Sequence, residues 1–380
     1  MSNTTIASIS NPPAFTASVT DQTELINQQR IANAKVSYNV RNTPLNIIHL
    51  LLKGDIQPSS GDLVLARVMS IGQHQRIELT GGRRAVLHVG DEIIVCYGDR
   101  YAPDQFEAYI PDSLETCHLV AAGGIAAKST SRHRRIKPPT EIVPLGLLAD
   151  EDKKPINIKD WAIIKPVISR PHRPFTVAVL GSSMNAGKTT TAAGVIHALT
   201  NKALKITATK VTGTGAGGDR WKMLDAGADQ VLDFTDAGLA STFRISKQLL
   251  ESTFCCLIDN LSLTQPDAII VEVADGLYQH ETADLLTSDL FKASIDTLIF
   301  AASDSLGAKA GVEILRQQGY TVCAVSGVIN ASPLAKREAE NVLDLPVLTP
   351  AEAGDLVHDQ LQSVLQSTQS LNNAYALSVS

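Results

Sequence analysis

Several kinds of feature are scarce or missing in this sequence. Aromatic residues make up only 4% of the 380 residues, too few for the stacking surface that binds single-stranded nucleic acid. The formal net charge is −6, so neither nucleic acid nor an anionic membrane is an expected partner. The five cysteines include no Cys-x-x-Cys pair, which argues against a zinc site or a disulfide framework and fits a reducing cytoplasm. No apolar run reaches the roughly 18 residues of a transmembrane helix.

The length and texture of the chain predict two domains. A chain of 380 residues exceeds the size of one typical hydrophobic core. Residues 1–44 are rich in Ser, Thr, Asn and Gln, and we expect a mobile tail there without a signal peptide. Residues 45–150 are predicted to form a small β-barrel-like domain, and residues 151–172 a proline-rich linker. A second mobile tail is expected at residues 366–380.

Short alternating segments predict that residues 45–150 are mainly β. Segments 62–69 and 92–97 are rich in apolar β-formers, and Gly81-Gly82 and Gly90-Asp91 have the composition of hairpin turns. Strands at this spacing favour a small barrel or sandwich. The alternative is an edge subdomain that packs on the second domain and does not fold separately.

From residue 173 to residue 365 the pattern changes to strands that alternate with helices. Apolar segments at 175–180, 205–211 and 268–273 are typical of buried strands, and residues 189–200 of a helix. This alternation predicts a parallel sheet with helices on both faces.

The strongest functional signal lies between Thr176 and Thr190. An apolar strand runs into a loop of small residues, and Gly187-Lys188-Thr189 then opens a helix. Such a loop and helix N-terminus direct backbone N–H groups at phosphates, while the Lys reaches the terminal phosphates and the Thr holds Mg²⁺. Ser182 stands where the usual motif has its first Gly. The predicted nucleotide ligands are Gly181, Ser183, Asn185, Ala186, Gly187, Lys188, Thr189 and Thr190.

This segment resembles the dethiobiotin synthetase group of P-loop enzymes, which share the layout Gly, five residues, Gly-Lys-Thr. The fold class implied is α/β, a parallel-sheet P-loop NTPase domain preceded by a small mainly-β domain. The resemblance implies a catalytic set of Lys188, Lys210 and Glu272, in which Glu272 also holds Mg²⁺. It places Asn330 where the family reads the base. The loop with Ser305 and Gly307 is similar to the family's substrate loop.

A second resemblance concerns the glycine-rich segment 212–219 and the segment 225–229. Both look like a P-loop family that includes D-glutamate N-acetyltransferases. Asp219 and Arg220 are candidate substrate contacts, and the alternative for both is a solvated turn.

Taken together, these features predict a cytoplasmic, ATP-dependent (or GTP-dependent) enzyme that uses Mg²⁺. The expected chemistry is phosphoryl transfer, hydrolysis or ATP-dependent ligation on a small carboxylate or amine. One alternative is a nucleotide-dependent switch or assembly factor that acts through a protein partner. Another is an acetyl-CoA-dependent N-acyltransferase. The expected partners are a nucleotide and an unidentified small molecule, and a homodimer is left open.

Overall fold

The computed structural model describes residues 22–167 and 173–379, with side chains up to residue 367. The part of the chain before the gap consists mainly of short strands. These strands and one short helix are β1 (Gln22–Leu25), α1 (Gln28–Asn33), β2 (Lys35–Val36), β3 (Leu50–Lys53), β4 (Leu63–Ser70), β5 (Arg76–Glu78), β6 (Arg84–Val86), β7 (Glu92–Tyr97), β8 (Arg100–Tyr101), β9 (Phe106–Tyr109), β10 (Cys117–Ala121), β11 (Ile125–Arg132) and β12 (Thr140–Ala149).

Ten of these strands form one mainly antiparallel sheet, and β5 pairs with β6 as a separate hairpin. The pairings β12–β4, β4–β7, β7–β11, β11–β10 and β10–β12 close five strands into a ring. Alternate residues of β4 and β7 belong to two different apolar clusters, because successive side chains of a strand point to opposite faces. Strands β4 and β7 coincide with the predicted segments 62–69 and 92–97.

The predicted tail boundary near residue 44 is wrong, because residues 22–44 pack into this region. Strand β1 pairs with β3, and the side chains of Tyr38 and Val40 are fully buried. Residues 1–21 lie outside the described residues. The predicted linker also begins inside the fold, since Ile156 and Ile158 are buried. Apolar side chains inside these Ser- and Pro-rich stretches explain both differences.

The part of the chain after the gap is the α/β region. Its strands and helices are β13 (Phe175–Gly181), α2 (Lys188–Thr200), β14 (Ile206–Lys210), α3 (Gly218–Asp225), β15 (Gln230–Asp233), α4 (Lys247–Ser262), β16 (Ala268–Glu272), α5 (His280–Leu286), α6 (Asp289–Ser294), β17 (Thr297–Ala301), α7 (Ser305–Gln317), β18 (Val322–Ser326), α8 (Pro333–Val342) and α9 (Pro350–Val379).

The six strands of this region form one parallel sheet in the order β15-β14-β16-β13-β17-β18. Apolar clusters lie on both of its faces, so the predicted parallel α/β sheet is confirmed. Strand β15 was missed, because only Val231 and Leu232 of its four residues are apolar. Helix α9 includes residues 366–379 of the predicted tail at 366–380. The side chains after residue 367 and the whole of Ser380 lie outside the described part.

Buried polar contacts join the two regions beside the glycine-rich segment 212–219. The Tyr38 hydroxyl donates to Asp233 Oδ2 at 3.1 Å. Glu78 accepts hydrogen bonds from the Gly217 amide at 3.0 Å and from Trp221 Nε1 at 2.7 Å. The N-terminal region therefore holds the segment that leads into α3. Among the described helices, none combines the length and hydropathy needed to cross a membrane.

Candidate functional site

Residues 182–187 form a tight loop between β13 and α2. Two residues in it have left-handed backbone conformations, Asn185 with φ 65° and Gly187 with φ 100°. A Cβ atom at Gly187 would lie 2.9 Å from the Cα of Gly327, so the fold requires glycine there for both conformation and space. The chain thus passes from a buried strand through a compact loop into a helix N-terminus, which is the geometry of a phosphate-binding loop.

Lys188 is the first residue of α2, and its side chain folds back over the loop. The side chain is 6% exposed, and its Nζ donates to the Ser183 carbonyl at 2.7 Å. Gly181 makes room for this path, because a Cβ there would lie 2.9 Å from Lys188 Cγ. The Ala186 carbonyl accepts a hydrogen bond from Val328 N at 3.0 Å, which ties the loop to the turn after β18.

The other charged groups come from the carboxyl ends of neighbouring strands. In the parallel register Lys210 of β14 pairs with Glu272 of β16, and Glu272 pairs with Val179 of β13. The Thr189 hydroxyl lies 2.8 Å from Glu272 Oε1 and 3.1 Å from Asp219 Oδ1, and can donate to one of them at a time. Carboxyl ends of parallel strands are where ligands bind in such sheets.

The charges at these strand ends are strongly coupled. Burial and the nearby Asp219 carboxylate raise the pKa of Glu272 to about 7. Burial disfavours the charged form of Lys210. The carboxylates of Asp219, its ion-pair partner, and of Glu272 have a larger effect in the opposite direction, so the pKa of Lys210 is raised. Burial lowers the pKa of Lys188, which Glu272 partly offsets. Glu272 Oε2 is buried without a hydrogen-bond partner among the described residues, so one carboxylate oxygen is available to a ligand.

These groups line a cleft of about 490 Å³, to which the N-terminal region also contributes. Asn185 Nδ2 donates to Asp104 Oδ2 at 2.9 Å across the two regions. Lys222 Nζ, on α3, donates to the Thr190 hydroxyl at 2.7 Å. Of the cleft residues, those that the sequence did not predict are Asp104, Gln105, Met184, Lys222, Ala274, Asp275 and Val328.

Some of these missed residues had a usable signal and others had none. Asp275 lies three residues after Glu272, at the carboxyl end of a predicted buried strand, where ligands bind in parallel sheets. Lys222 lies one turn after Asp219 on the same helix. Asp104 lies in the turn between β8 and β9, and nothing in its local sequence connects it to the phosphate loop.

The structure places Arg220 outside this cleft, contrary to the expected substrate contact. Its Nη1 donates to Asp236 Oδ2 at 2.6 Å, and the Asp236 side chain is fully buried. Arg41 of the N-terminal region donates to the other oxygen of the same carboxylate, also at 2.6 Å. Arg220 therefore anchors α3 to the interface, while the preceding residue, Asp219, does line the cleft.

Six further predicted contacts do not line the cleft either: the loop residues Gly181, Ser183 and Ala186, and the more distant Asn330, Ser305 and Gly307. Asn330 Nδ2 donates to the Leu348 carbonyl at 2.8 Å, beside β18. The Ser305 hydroxyl donates to Glu338 Oε1 at 2.7 Å. Gly307 lies in the first turn of α7, where an added Cβ would be 3.5 Å from Ser182 Cβ. Their roles toward a base or substrate stay predictions.

The oxygen atoms of the cleft suit a small divalent cation that also contacts phosphate. Mg²⁺ characteristically takes one or two protein oxygens together with waters and substrate phosphates. Thr189 and Glu272 present a hydroxyl and a carboxylate 2.8 Å apart. Within the described residues no cluster of three or more His, Cys, Asp or Glu forms an all-protein metal cage.

Comparisons with known proteins add no family assignment. No protein-family model and no curated protein matches the chain. Among solved structures it is similar to the signal recognition particle receptor FtsY from Elizabethkingia anophelis, with 16% identity, a TM-score of 0.30, and coverage of 41% of this chain and 50% of that one. The 54 kDa signal recognition particle protein from Aeropyrum pernix K1, in complex with GDP, gives 20% identity, a TM-score of 0.34, and coverage of 55% and 52%.

The kinase domain of the Escherichia coli tyrosine kinase ETK gives 13% identity, a TM-score of 0.30, and coverage of 39% of this chain and 64% of that one. The chain therefore spans between half and two thirds of the length of these structures. Likenesses at such scores carry no argument about activity, and the site's own geometry has to support any functional proposal.

Proposed function

We propose that this protein binds a nucleoside triphosphate together with Mg²⁺ in the cleft at the phosphate loop. The observation that carries the proposal is the meeting of Lys188, the Thr189 hydroxyl and the unsatisfied carboxylate of Glu272 at one helix N-terminus. A buried carboxylate oxygen without a partner costs free energy, and a cation held between Thr189, Glu272 and phosphate oxygens would offset that cost.

Each residue of the cleft has a distinct task in this proposal. The backbone amides of residues 182–187 and the N-terminus of α2 would cradle the phosphates. Lys188 would exchange its bond to the Ser183 carbonyl for a terminal phosphate oxygen, and Lys210, which also lines the cleft, would add a second positive charge. Mg²⁺ would supply neutralisation of the phosphate charge, which is the main electrostatic requirement of phosphoryl transfer.

The finer proposal is an ATP-dependent enzyme that transfers a phosphoryl group to, or ligates, a small carboxylate or amine. It is supported by the resemblance of the phosphate loop, Lys210 and Glu272 to the dethiobiotin synthetase group. A site made of backbone amides, two lysines and one metal carboxylate suits catalysis by positioning and electrostatics.

A second candidate, a nucleotide-dependent switch, is favoured by one contact. Asp219 lies 3.1 Å from the Thr189 hydroxyl, and it opens the helix α3 whose Trp221 is bonded to Glu78 of the N-terminal region. A change at the metal position would therefore reach the N-terminal region through one short helix.

The proposal is tested by the change in melting temperature on adding ATP, GTP or acetyl-CoA, each with and without Mg²⁺. Binding to the folded state alone raises the apparent stability. We expect a Mg²⁺-dependent rise with ATP or GTP that Lys188→Ala removes, whereas Lys309→Ala, a change on the exposed face of α7, leaves it intact.

The other outcomes separate the alternatives. A rise with acetyl-CoA alone would support the acyltransferase alternative and contradict the proposal. A nucleotide response that persists unchanged in folded Lys188→Ala protein would also contradict it. Turnover that needs no small molecule but is stimulated by a protein partner would favour the switch.

A further inference from the structure

A second chamber opens from the cleft toward the N-terminal region. Its volume is about 350 Å³, and it shares Gln105, Met184, Lys210, Ala274 and Asp275 with the cleft. The two spaces therefore adjoin each other at Lys210 and Asp275. A molecule in the chamber would lie next to the proposed terminal phosphate.

The chamber contains a buried arginine without a carboxylate in contact. Arg100 is 7% exposed, and its Nη2 donates to Gln105 Oε1 at 3.0 Å. Its Nη1 lies 3.4 Å from His74 Nε2. Its Nε has no hydrogen-bond partner, and none of the ion pairs among the described residues includes Arg100. Burial lowers the pKa of Arg100 to about 10, so the guanidinium stays charged at neutral pH.

The surroundings balance this charge only in part. His74 is neutral near pH 7, because desolvation and the Arg100 charge lower its pKa to about 3. The carboxylates of Asp104 and Asp275 act on Arg100 only from beyond ion-pair distance. A buried cation whose direct contacts are all neutral groups is costly, and a planar guanidinium is shaped for bidentate contact with a carboxylate.

We propose that this chamber binds the second substrate, and that Arg100 anchors its carboxylate group beside the phosphate loop. This inference rests on the proposed function, because it assigns the co-substrate of the same reaction to a small carboxylic acid. The buried Asp275 Oδ1, which also has no hydrogen-bond partner in the described part of the chain, would accept a hydrogen bond from a donor group of the same molecule. The N-terminal region would thus supply substrate recognition, and the α/β region would bind the nucleotide.

A contact between Arg100 and the nucleotide phosphate is the rival interpretation. It is disfavoured because Arg100 lines the chamber and does not line the cleft that holds the phosphate loop. The two interpretations differ in what a substitution removes: carboxylate binding in one case and nucleotide affinity in the other.

The test uses the full-length chain, Arg100→Met, and Arg83→Met as a control at an exposed arginine outside the chamber. The probes are acetate, succinate and adipate, each compared with its neutral amide, and inorganic phosphate. Melting temperatures are measured with and without Mg²⁺ and ATP. We expect at least one carboxylate to raise the melting temperature of the wild type and of Arg83→Met, while its amide does not. Arg100→Met should bind that carboxylate at least about tenfold more weakly, since a charge-assisted bidentate contact is lost.

Two further readouts decide the result. The ATP response should be equal in Arg100→Met and the wild type, and the unliganded variant should be no less stable than the wild type. The inference would be overturned if no carboxylate affected the wild type, or if phosphate had a stronger effect than the carboxylates. It would also be overturned if Arg100→Met lost the ATP response or was clearly less stable than the wild type. Failure of ATP to bind the wild type would instead contradict the proposed nucleotide site. The carboxylate measurements made without ATP would still test the role of Arg100.

Discussion

Replacing Glu272 with glutamine should stabilise the protein in the absence of ligands and lower its Mg²⁺-dependent activity. Glu272 is 2% exposed and lies near Asp219. Its pKa is raised from 4.5 to about 7, first by burial and then by that neighbouring carboxylate. The folded state therefore binds the proton more tightly than the unfolded chain does, and its stability decreases as the pH rises from 4.5 through about 7.

The size of the effect follows from the same pKa values. Relative to an uncharged side chain, the raised pKa of Glu272 lowers the free energy of unfolding by about 3 kcal/mol at about pH 8, and by about 1 kcal/mol at about pH 5.5. Glutamine keeps the shape and the oxygen that accepts from Thr189, but carries no charge. Glu272→Gln should therefore exceed the wild type in unfolding free energy by about 3 kcal/mol at the higher pH, and this difference should shrink to about 1 kcal/mol at the lower pH.

The assay is urea denaturation at both pH values in the presence of a chelator, with Glu281→Gln as a matched control. Glu281 is also 2% exposed, but its Oε1 accepts the Arg244 amide at 2.6 Å, so its replacement should stabilise at neither pH. With Mg²⁺ and nucleotide present, Glu272→Gln should lower turnover by about 100-fold and lower nucleotide affinity less. A variant less stable than the wild type at the higher pH, or a difference independent of pH, would refute the electrostatic argument.

Two other predictions follow from the geometry. Gly187→Ala should unfold at a lower denaturant concentration than Gly90→Ala and should lose nucleotide binding. Both glycines have φ near 90–100°, a conformation that costs alanine about 1–2 kcal/mol. Of the two, only Gly187 has backbone atoms within 3 Å of an added Cβ. Equal unfolding midpoints would contradict the close approach. A fragment that begins at residue 173 should aggregate or lose cooperative unfolding, because it lacks the partners of Trp221 and Asp233; cooperative unfolding seen by circular dichroism would show that the α/β region folds alone.

Some of the site could be predicted because its signal is local. The apolar strand, the small-residue loop and Gly187-Lys188-Thr189 occupy one continuous segment, and local backbone requirements fix its conformation. Glu272 and Lys210 were implied by the resemblance to the dethiobiotin synthetase group, and each does end a buried strand, where the ends of parallel strands meet at one edge of the sheet. Periodicity therefore predicted the α/β class, while the loop motif and the family resemblance supplied the candidate cleft residues.

The tertiary structure decided which neighbouring residue faces the cleft and which does not. Asp219 and Arg220 are adjacent in sequence, yet their side chains point in different directions from α3. The Asp219 carboxylate contacts the Thr189 hydroxyl, whereas the Arg220 guanidinium contacts the buried Asp236. No local pattern distinguishes these two directions, since they depend on how α3 packs against both regions.

The tertiary structure alone also brought the N-terminal region to the site. Asp104 and Arg100 lie in and beside a short hairpin about 80 residues before the phosphate loop, and they reach the cleft and the chamber only because the two regions share a buried interface. Contacts between residues so far apart in the chain leave no periodic trace in the sequence. Local sequence was enough to predict the loop at residues 182–187, whereas the chamber beside it is formed only by the packing of one region on the other.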